Sequence, residues 1–113
     1  MTQRLPASLE ATALIRRAEA QGDFATVLRK GDADRGALLL IVGSRGRHAA
    51  CLERVLSLEG SYRWQQVGPP AGSGSQELAE FLASRQRVDP DSWLIELDVA
   101  QPERFIAETT SKG

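Results

Sequence analysis

The sequence predicts an α+β domain in which a mainly antiparallel five-stranded sheet is packed by two longer helices and a short C-terminal helix. Four strand-like segments follow one another without an intervening helix, which favours α+β over an alternating α/β fold. Helical patterns flank that block, and a further strand separates the last two helices. The predicted order is therefore α-β-β-β-β-α-β-α. The 113 residues, 42% hydrophobic and 26% charged, suit a single domain over residues 1–113.

The first helix is predicted over Ala7–Gln21, because Pro6 favours a helix start and Gly22 a helix end. Alanines and long unbranched side chains dominate this segment, as is typical of helices. The first strand follows over Phe24–Lys30, where alternate side chains point to opposite faces of a sheet.

The segment Ala37–Val42 is apolar throughout and is predicted to be the central strand. The turn-forming stretch Gly31–Gly36 precedes it and indicates a β-hairpin with the strand Phe24–Lys30. A strand that is apolar on both sides must be covered on both sides. With the helices on one face, we expect the other face to be closed by a curled sheet or by a second subunit in a homodimer.

Residues 48–58 fit either a strand or a helix. As a strand, Leu52 and Leu56 alternate with Cys51 and Val55, whereas a helix would also group Leu52, Val55 and Leu56. The strand is favoured because glycine-rich turns bound the segment. A short strand, Tyr62–Val67, follows the next turn.

Residues 68–75 are rich in Gly, Pro and Ser and are predicted to form a flexible loop. The second helix is predicted from Gln76 to Arg87, and Asp89–Asp91 ends it because residues before a proline avoid helical geometry. The clearest alternation marks a strand over Ser92–Val99. A short helix over Pro102–Thr109 precedes a tail, residues 110–113, that is expected to fray.

Several motifs occur together in one order along the chain, and this combination resembles the DUF1491 family of short bacterial proteins. The residues that carry the resemblance are Leu14–Arg17, Gly22–Val27, Arg29–Gly36 and Asp89–Asp98. The resemblance spans nearly the whole chain, with residues 43–75 least distinctive. It implies a cytosolic bacterial setting and supplies no activity, cofactor or catalytic residue.

Charge and composition argue against several classes of protein. The net charge is −1; residues 1–56 hold nine basic and six acidic side chains, and residues 57–113 hold five and nine. The asymmetry between the halves is mild, and a net charge so close to zero does not indicate a nucleic-acid or membrane protein. The single cysteine, Cys51, fits a reducing compartment. No apolar run is long enough for a signal peptide or a membrane span, so a cytoplasmic location is expected.

The basic turn provides the first candidate site. Arg29, Lys30 and Arg35 surround the Gly31–Gly36 turn and could contact an anion or a partner. Tyr62 and Trp64 could add stacking to a nucleic-acid patch. The turn lacks the Gly-Lys-Ser/Thr ending of a phosphate loop and the twelfth-position Glu of an EF-hand. The simpler interpretation is a turn whose aspartates bind local backbone amides.

The acidic strand provides the second candidate site. Glu96 and Asp98 share one face of the predicted strand, roughly 7 Å apart, and could act as an acid–base pair. No third ligand or nucleophile accompanies them at a diagnostic spacing, so neither a metal nor a cofactor is predicted. His48 and Cys51, three residues apart, fall on opposite faces of a regular strand, which disfavours a Cys–His pair.

The sequence therefore favours a small non-enzymatic, cytosolic binding or interaction module that forms a homodimer through its sheet. The first alternative is a nucleic-acid or anion binder that uses the basic turn. The second is a small enzyme that uses the face carrying Glu96 and Asp98. The ligand, any reaction and the biological process are not specified by the sequence.

Overall fold

The structure, a computed structural model, describes residues 5–111. It contains three helices and five strands in the predicted order α-β-β-β-β-α-β-α. The helices are α1 (Ala7–Ala20), α2 (Ser75–Val88) and α3 (Pro102–Ser111). The strands are β1 (Phe24–Arg29), β2 (Leu38–Ser44), β3 (Arg47–Leu56), β4 (Tyr62–Val67) and β5 (Trp93–Asp98).

The five strands form one sheet in the order β1-β5-β2-β3-β4. Strand β5 enters between β1 and β2, antiparallel to β1 and parallel to β2. The sheet is therefore mixed, which corrects the prediction of a mainly antiparallel sheet. The predicted hairpin between Phe24–Lys30 and Ala37–Val42 is also wrong, since β1 and β2 do not pair.

The burial of β5 explains its place in the sheet. Trp93, Leu94 and Ile95 are consecutive and buried, so β5 needs cover on both faces, as β2 does. Placing the two beside each other in the middle of the sheet meets both needs. Strand β1 exposes Phe24 and Leu28 and is left at the edge.

Strand β2 confirms the prediction of a central strand from which water is excluded on both sides. Its residues Leu38–Val42 are all buried, and β2 is the third of five strands. The expected means of covering it was wrong, because α2 covers the face opposite α1 and α3. Neither sheet closure nor a second subunit is needed to bury β2.

The face toward α1 and α3, here the α1/α3 side, carries the larger core. It is formed by buried side chains from α1 and all strands except β1, with Phe105 and Ile106 of α3 packed against them. The buried members are Ala7, Ala11, Ala18, Leu38, Leu40, Val42, Ala50, Leu52, Trp64, Trp93, Ile95, Leu97 and Val99.

The opposite face, here the α2 side, carries a smaller core. Its buried members are Leu39, Ile41, Cys51 and Leu94. Helix α2 packs on them with three partly buried side chains, Leu78, Phe81 and Leu82. No residue of α2 is fully buried, so this helix covers its face less completely than α1 covers the other.

The ambiguous segment at residues 48–58 is a strand, as favoured, because β3 pairs with both β2 and β4. Helix α3 continues to Ser111, and residues 112–113 lie outside the described residues. The flexible loop at 68–75 and the frayed tail at 110–113 stay predictions. No helix within residues 5–111 is both long and apolar enough to cross a membrane.

Candidate interaction site at the β1 edge

The aspartate of the basic turn binds its own backbone. The Asp32 carboxylate oxygen Oδ1 accepts the amide hydrogens of Asp34, at 2.9 Å, and of Arg35, at 2.8 Å. These bonds, chiefly the one from Arg35, hold the pKa of Asp32 below its usual value because they stabilise the charged carboxylate. The Asp32 side chain therefore stabilises the turn, as the simpler interpretation predicted.

The same turn is anchored to the start of β5. The indole Nε1 of Trp93 donates to the Asp32 carbonyl oxygen at 2.8 Å, and the Asp32 amide donates to the Asp91 carbonyl oxygen at 2.9 Å. A Cβ atom on Gly31 would lie 2.1 Å from that Asp91 oxygen, and one on Gly36 would lie 2.6 Å from it. Both glycines are required by this close approach of two backbone segments.

The turn also supports the first helix. The carbonyl oxygens of Ala33 and Asp34 accept the amide hydrogens of Ser8 and Ala7, at 2.9 and 3.2 Å. These amides belong to the first turn of α1, which has no side-chain cap. The segment Arg29–Gly36 thus connects α1, β1 and β5. These contacts give its glycines and Asp32 a role in the fold.

The three predicted contact residues of this turn do not have equivalent surroundings. Arg29 is half-buried and donates to Ser92, from Nη2 to the hydroxyl at 3.1 Å and from Nε to the carbonyl oxygen at 3.4 Å. Lys30 and Arg35 are exposed. Anion or partner binding by Arg29, Lys30 and Arg35 stays a prediction. Of the three, Arg29 already uses two guanidinium nitrogens to bind Ser92, the residue before β5.

The aromatic residues suggested for stacking lie under an arginine. The guanidinium carbon of Arg54 is 5.4 Å from the centre of the Trp64 ring and 5.9 Å from that of Tyr62. Arg54 Nε also lies 3.3 Å from a carboxylate oxygen of Glu10. Trp64 is itself buried. This cluster is a cation–π and ion-pair contact on the α1/α3 side, in which the Arg54 guanidinium lies over both rings.

The two strand carboxylates lie in a cleft on the α2 side. The cleft has a volume of about 300 Å³ and lies beside the start of α2, and its polar lining includes Ser44, Arg47, His48, Ser73, Ser75, Glu96 and Asp98. Asp98 Oδ1 accepts the Arg45 amide hydrogen at 3.3 Å. Arg45 has a φ of 53°, a left-handed conformation that favours glycine or asparagine, so Asp98 supports a strained turn.

His48 occupies the same cleft, which corrects the prediction that it faces away from Cys51. The register of β2 against β3 shifts at Ala49, so that Gly43 pairs with His48 while Val42 pairs with Ala50. This bulge moves His48 to the α2 side, where Cys51 also lies.

The imidazole is nevertheless not positioned for proton transfer. Its Nε2 lies 3.0 Å from the Pro69 carbonyl oxygen, which can only accept, so Nε2 carries the hydrogen. Its Nδ1 is buried and has no hydrogen-bond partner among the described residues. Neither ring nitrogen of His48 is therefore available to a substrate.

The remaining nucleophile is also inaccessible. Cys51 is fully buried, and burial raises the pKa of its thiol to about 11. A thiol with so high a pKa stays protonated at neutral pH and is a poor nucleophile. Within residues 5–111, no three His, Cys, Asp or Glu side chains are grouped closely enough to hold a metal ion.

The outer edge of β1 is the most open apolar feature of the sheet. Phe24 is 71% exposed and Leu28 is 50% exposed, and with Thr26 they form one row on the α2 side. Phe24 pairs with Asp98 and Thr26 with Glu96, so this row borders the carboxylates that α2 leaves uncovered. No described residue pairs with the backbone on the outer side of β1.

The opposite edge of the sheet differs in chemistry. In β4, the exposed side chains Arg63, Gln65 and Gln66 are polar, and Trp64 points into the α1/α3 core. Polar side chains on an edge strand disfavour pairing with another chain, whereas exposed apolar ones favour it. The alternation in the sequence predicted that Phe24, Thr26 and Leu28 share one face of the sheet. The predicted hairpin made β2 the neighbour of β1, whereas the neighbour is β5 and β1 is an edge strand.

Comparison with known proteins gives the same fold. A family model described as a protein of unknown function, DUF1491, matches residues 5–107. The crystal structure of a DUF1491 family protein from Caulobacter crescentus CB15 is similar, with 33% identity and a TM-score of 0.75 over 88% of this chain and 92% of that chain.

Two further structures agree. An NMR structure of a DUF1491 family protein from Caulobacter crescentus CB15 has 34% identity and a TM-score of 0.71, covering 86% of this chain and 87% of that one. The solution structure of protein Atu0922 from A. tumefaciens has 28% identity and a TM-score of 0.74, covering 88% and 89%. No curated protein matches the chain. The chain therefore belongs to the DUF1491 family of proteins of unknown function.

Proposed function

We propose that the protein is a small, non-enzymatic, cytosolic interaction module that binds an extended polypeptide segment along the outer edge of β1. The observation that carries the proposal is the exposure of Phe24 and Leu28 on a strand whose outer backbone pairs with no described residue. An added strand would receive main-chain hydrogen bonds from β1 and apolar contacts from these two side chains.

A partner would gain more free energy by covering the β1 edge than by covering a single apolar residue elsewhere. Covering a largely exposed Phe or Leu is worth up to about 1.5–3 kcal/mol, and the two residues lie on one row. Other exposed apolar side chains, such as Leu56 and Val88, lie at the ends of elements. Only in β1 do such side chains coincide with an open strand edge, among the residues described.

The enzyme alternative is less well supported, although Glu96 and Asp98 do line a cleft. Asp98 already accepts the Arg45 amide, and neither nitrogen of His48 can reach a substrate. Glu96 and the second carboxylate oxygen of Asp98 would then have to act without the imidazole. Acid–base catalysis requires groups within hydrogen-bond reach of the reacting atoms, and in the described cleft His48 cannot supply one.

A peptide library tests the proposal. The full chain is panned against random nonamer peptides, and a binding peptide is titrated into isotope-labelled protein while the amide resonances are followed. We expect extended, alternating apolar peptides whose binding shifts the resonances of residues 24–29. Phe24→Ser should weaken binding at least about tenfold, the equivalent of 1.4 kcal/mol.

Leu56→Ser is the matched control, because Leu56 is 58% exposed but lies at the end of β3 on the other side of the sheet. It should leave peptide affinity unchanged. The proposal is wrong if no peptide binds, or if the shifted resonances map to a surface other than β1.

A further inference from the structure

We infer that the segment that pairs with β1 carries a lysine or arginine opposite Thr26, and that this side chain crosses Thr26 to bind the Glu96 carboxylate. The inference rests on the proposed function and names the chemistry of its partner, an extended apolar segment with one basic residue. Glu96 then determines specificity at the β1 edge, while Phe24 supplies apolar contact.

The register of the sheet places Glu96 directly behind Thr26. In the regular part of β1, Phe24 pairs with Asp98 and Thr26 pairs with Glu96. Glu96 also pairs with Ile41 of β2, which lies in the α2-side core. Directly opposed residues of neighbouring strands share a face, so Thr26 and Glu96 both lie on the α2 side. The residue of an added strand that lies opposite Thr26 must share that face.

Thr26 leaves a gap in the apolar row of β1. Threonine is short and exposed, whereas the neighbouring Phe24 is large and 71% exposed. Strands lie about 4.8 Å apart, so an added strand lies about 10 Å from β5. The long, flexible stem of a lysine or arginine can cross Thr26 toward Glu96, packing its methylene groups against Phe24 on the way. Phe24 itself blocks the equivalent path to Asp98.

The Glu96 carboxylate is accessible to such a cation. Glu96 is exposed and lines the cleft beside the start of α2. Within residues 5–111, its side chain takes part in no ion pair or hydrogen bond. An ion pair between exposed groups contributes modestly to affinity, so Glu96 serves to select among partners that the strand edge already binds.

Asp98 strengthens the negative potential around Glu96. It is the next residue of β5 on the same face, and it uses Oδ1 to accept the Arg45 amide hydrogen. Arg47 lines the same cleft, but it forms no ion pair with either carboxylate in the described part of the chain. A basic side chain that arrives from the β1 edge therefore meets two carboxylates that no described cation has paired with.

The far end of β1 disfavours a basic residue. The pairing with β5 shifts register after Val27, so that Leu28 is skipped and Arg29 pairs with Leu94. Leu94 belongs to the α2-side core, so Arg29 lies on the α2 side as well. Its guanidinium would repel a cation placed beside it. The position opposite Thr26, nearer the carboxylates, is therefore the one that favours a basic side chain.

Three synthetic nonamer peptides test the inference. In each, valine alternates with threonine, and the central residue, on the valine face, is lysine, N-acetyl-lysine or glutamate. The alternation is symmetrical about the centre, so it suits either strand direction, and acetylation removes the charge while keeping the stem. In titrations of isotope-labelled protein, the lysine peptide should bind about three to five times more tightly than the acetylated peptide, as expected for an exposed ion pair. The glutamate peptide should bind most weakly.

Variants of Glu96 assign this preference to one residue. Glu96→Gln should make the lysine and acetyl-lysine peptides bind equally, and Glu96→Lys should make the glutamate peptide the preferred one. Glu103→Gln is the matched control, because Glu103 is an exposed residue of the first turn of α3 and its loss changes the net charge equally. It should keep the preference for lysine. Raising the salt concentration from about 0.01 to 1 M shortens the Debye length from roughly 30 to 3 Å and should abolish the preference.

The two proposals fail in distinguishable ways. If the lysine and acetyl-lysine peptides bind equally at β1, or if Glu96→Gln keeps the preference, the inference is wrong and the interaction module is retained with a partner of different chemistry. The same holds if Glu103→Gln abolishes the preference as fully as Glu96→Gln does. If no peptide binds, or if the shifted resonances lie away from β1, both proposals are wrong.

Discussion

The two faces of the sheet are covered to different degrees. On the α1/α3 side, buried residues extend from Trp64 in β4 through β3, β2 and β5, and the half-buried Ala25 and Val27 of β1 pack against them. On the α2 side, a single helix covers Leu39, Ile41, Cys51 and Leu94 and leaves the row of Phe24, Thr26 and Leu28 open.

This difference separates the face that carries the larger buried core from the face that the proposed function uses for binding. The more completely covered α1/α3 side contributes the larger buried core. The incompletely covered face retains apolar side chains beside an unpaired strand edge, which is a surface that association can bury. Under the proposed function, the larger core and the binding surface therefore lie on opposite sides of one sheet.

The largest difference between the two sides is expected when neighbouring leucines of β2 are replaced by alanine. Leu40 lies in the α1/α3 core, and its neighbour Leu39 lies in the α2-side core. Leu40→Ala should lower the free energy of unfolding by about 4 kcal/mol, because its closely packed site cannot collapse. Leu39→Ala should cost about 2 kcal/mol, since the partly exposed α2 can settle into the space.

Urea unfolding of both variants, followed by tryptophan fluorescence and circular dichroism, measures the difference. Equal losses would mean that the two faces are packed equally well. A larger loss for Leu39→Ala would reverse the comparison.

A substitution in the Gly31–Gly36 turn should have the next largest effect on stability. Gly31→Ala places a Cβ 2.1 Å from the Asp91 carbonyl oxygen, so β5 and the Trp93 indole must move. We expect a loss of about 2–3 kcal/mol, as for overpacking in a core. Gly74→Ala is the control: its Cβ would meet nothing within 4 Å. Because Gly74 is the N-cap of α2 and alanine is a poorer N-cap, this change should cost at most about 1 kcal/mol.

Thermal melts of these two glycine variants provide the measurement. Near-UV circular dichroism should also change for Gly31→Ala, because Trp93 is the displaced chromophore. A Gly31→Ala variant as stable as the unmodified protein would show that the turn is not anchored as described.

The smallest effect concerns how readily α2 opens. Cys51 lies beneath α2, and the pKa of its thiol is raised to about 11, so it should react slowly with a disulfide reagent at pH 8. The folded state favours the protonated thiol, and this stabilisation is lost only as pH rises toward about 11. Because no residue of α2 is fully buried, this helix should detach before the rest of the protein unfolds. Labelling of Cys51 should therefore begin at urea concentrations below the main unfolding transition.

Labelling kinetics with increasing urea, compared with fluorescence under the same conditions, measure this opening. If Cys51 reacts only as the whole protein unfolds, the two sides of the sheet lose their cover together. The α2 side would then be no less stable than the α1/α3 side.

Local sequence patterns predicted the elements well but not which strands are neighbours. The alternation in Trp93–Asp98 and the apolar run Leu38–Val42 each predict a strand from a few adjacent residues. The insertion of β5 between β1 and β2 joins segments more than 50 residues apart, and no local pattern encodes it. The hairpin was predicted from the closeness of the two strands in the chain and from the turn-forming stretch Gly31–Gly36. The need to bury both faces of β5 outweighed these local signals.

The candidate site was predicted in part for the same reason. The row of Phe24, Thr26 and Leu28 could be read from alternation, but its exposure depends on β1 lying at the sheet edge. The side occupied by His48 depends on a bulge at Ala49, where one extra residue reverses the alternation. Such irregularities carry no clear signal in a single sequence.

Amide hydrogen exchange of the protein with and without a saturating amount of the selected peptide tests most directly whether β1 is the edge that binds. We expect protection of outward-facing amides in residues 24–29 to rise at least about tenfold when the peptide is bound, while β4 is unchanged. Exchange at β1 that the peptide does not change, or protection that rises at β4 instead, would contradict the account.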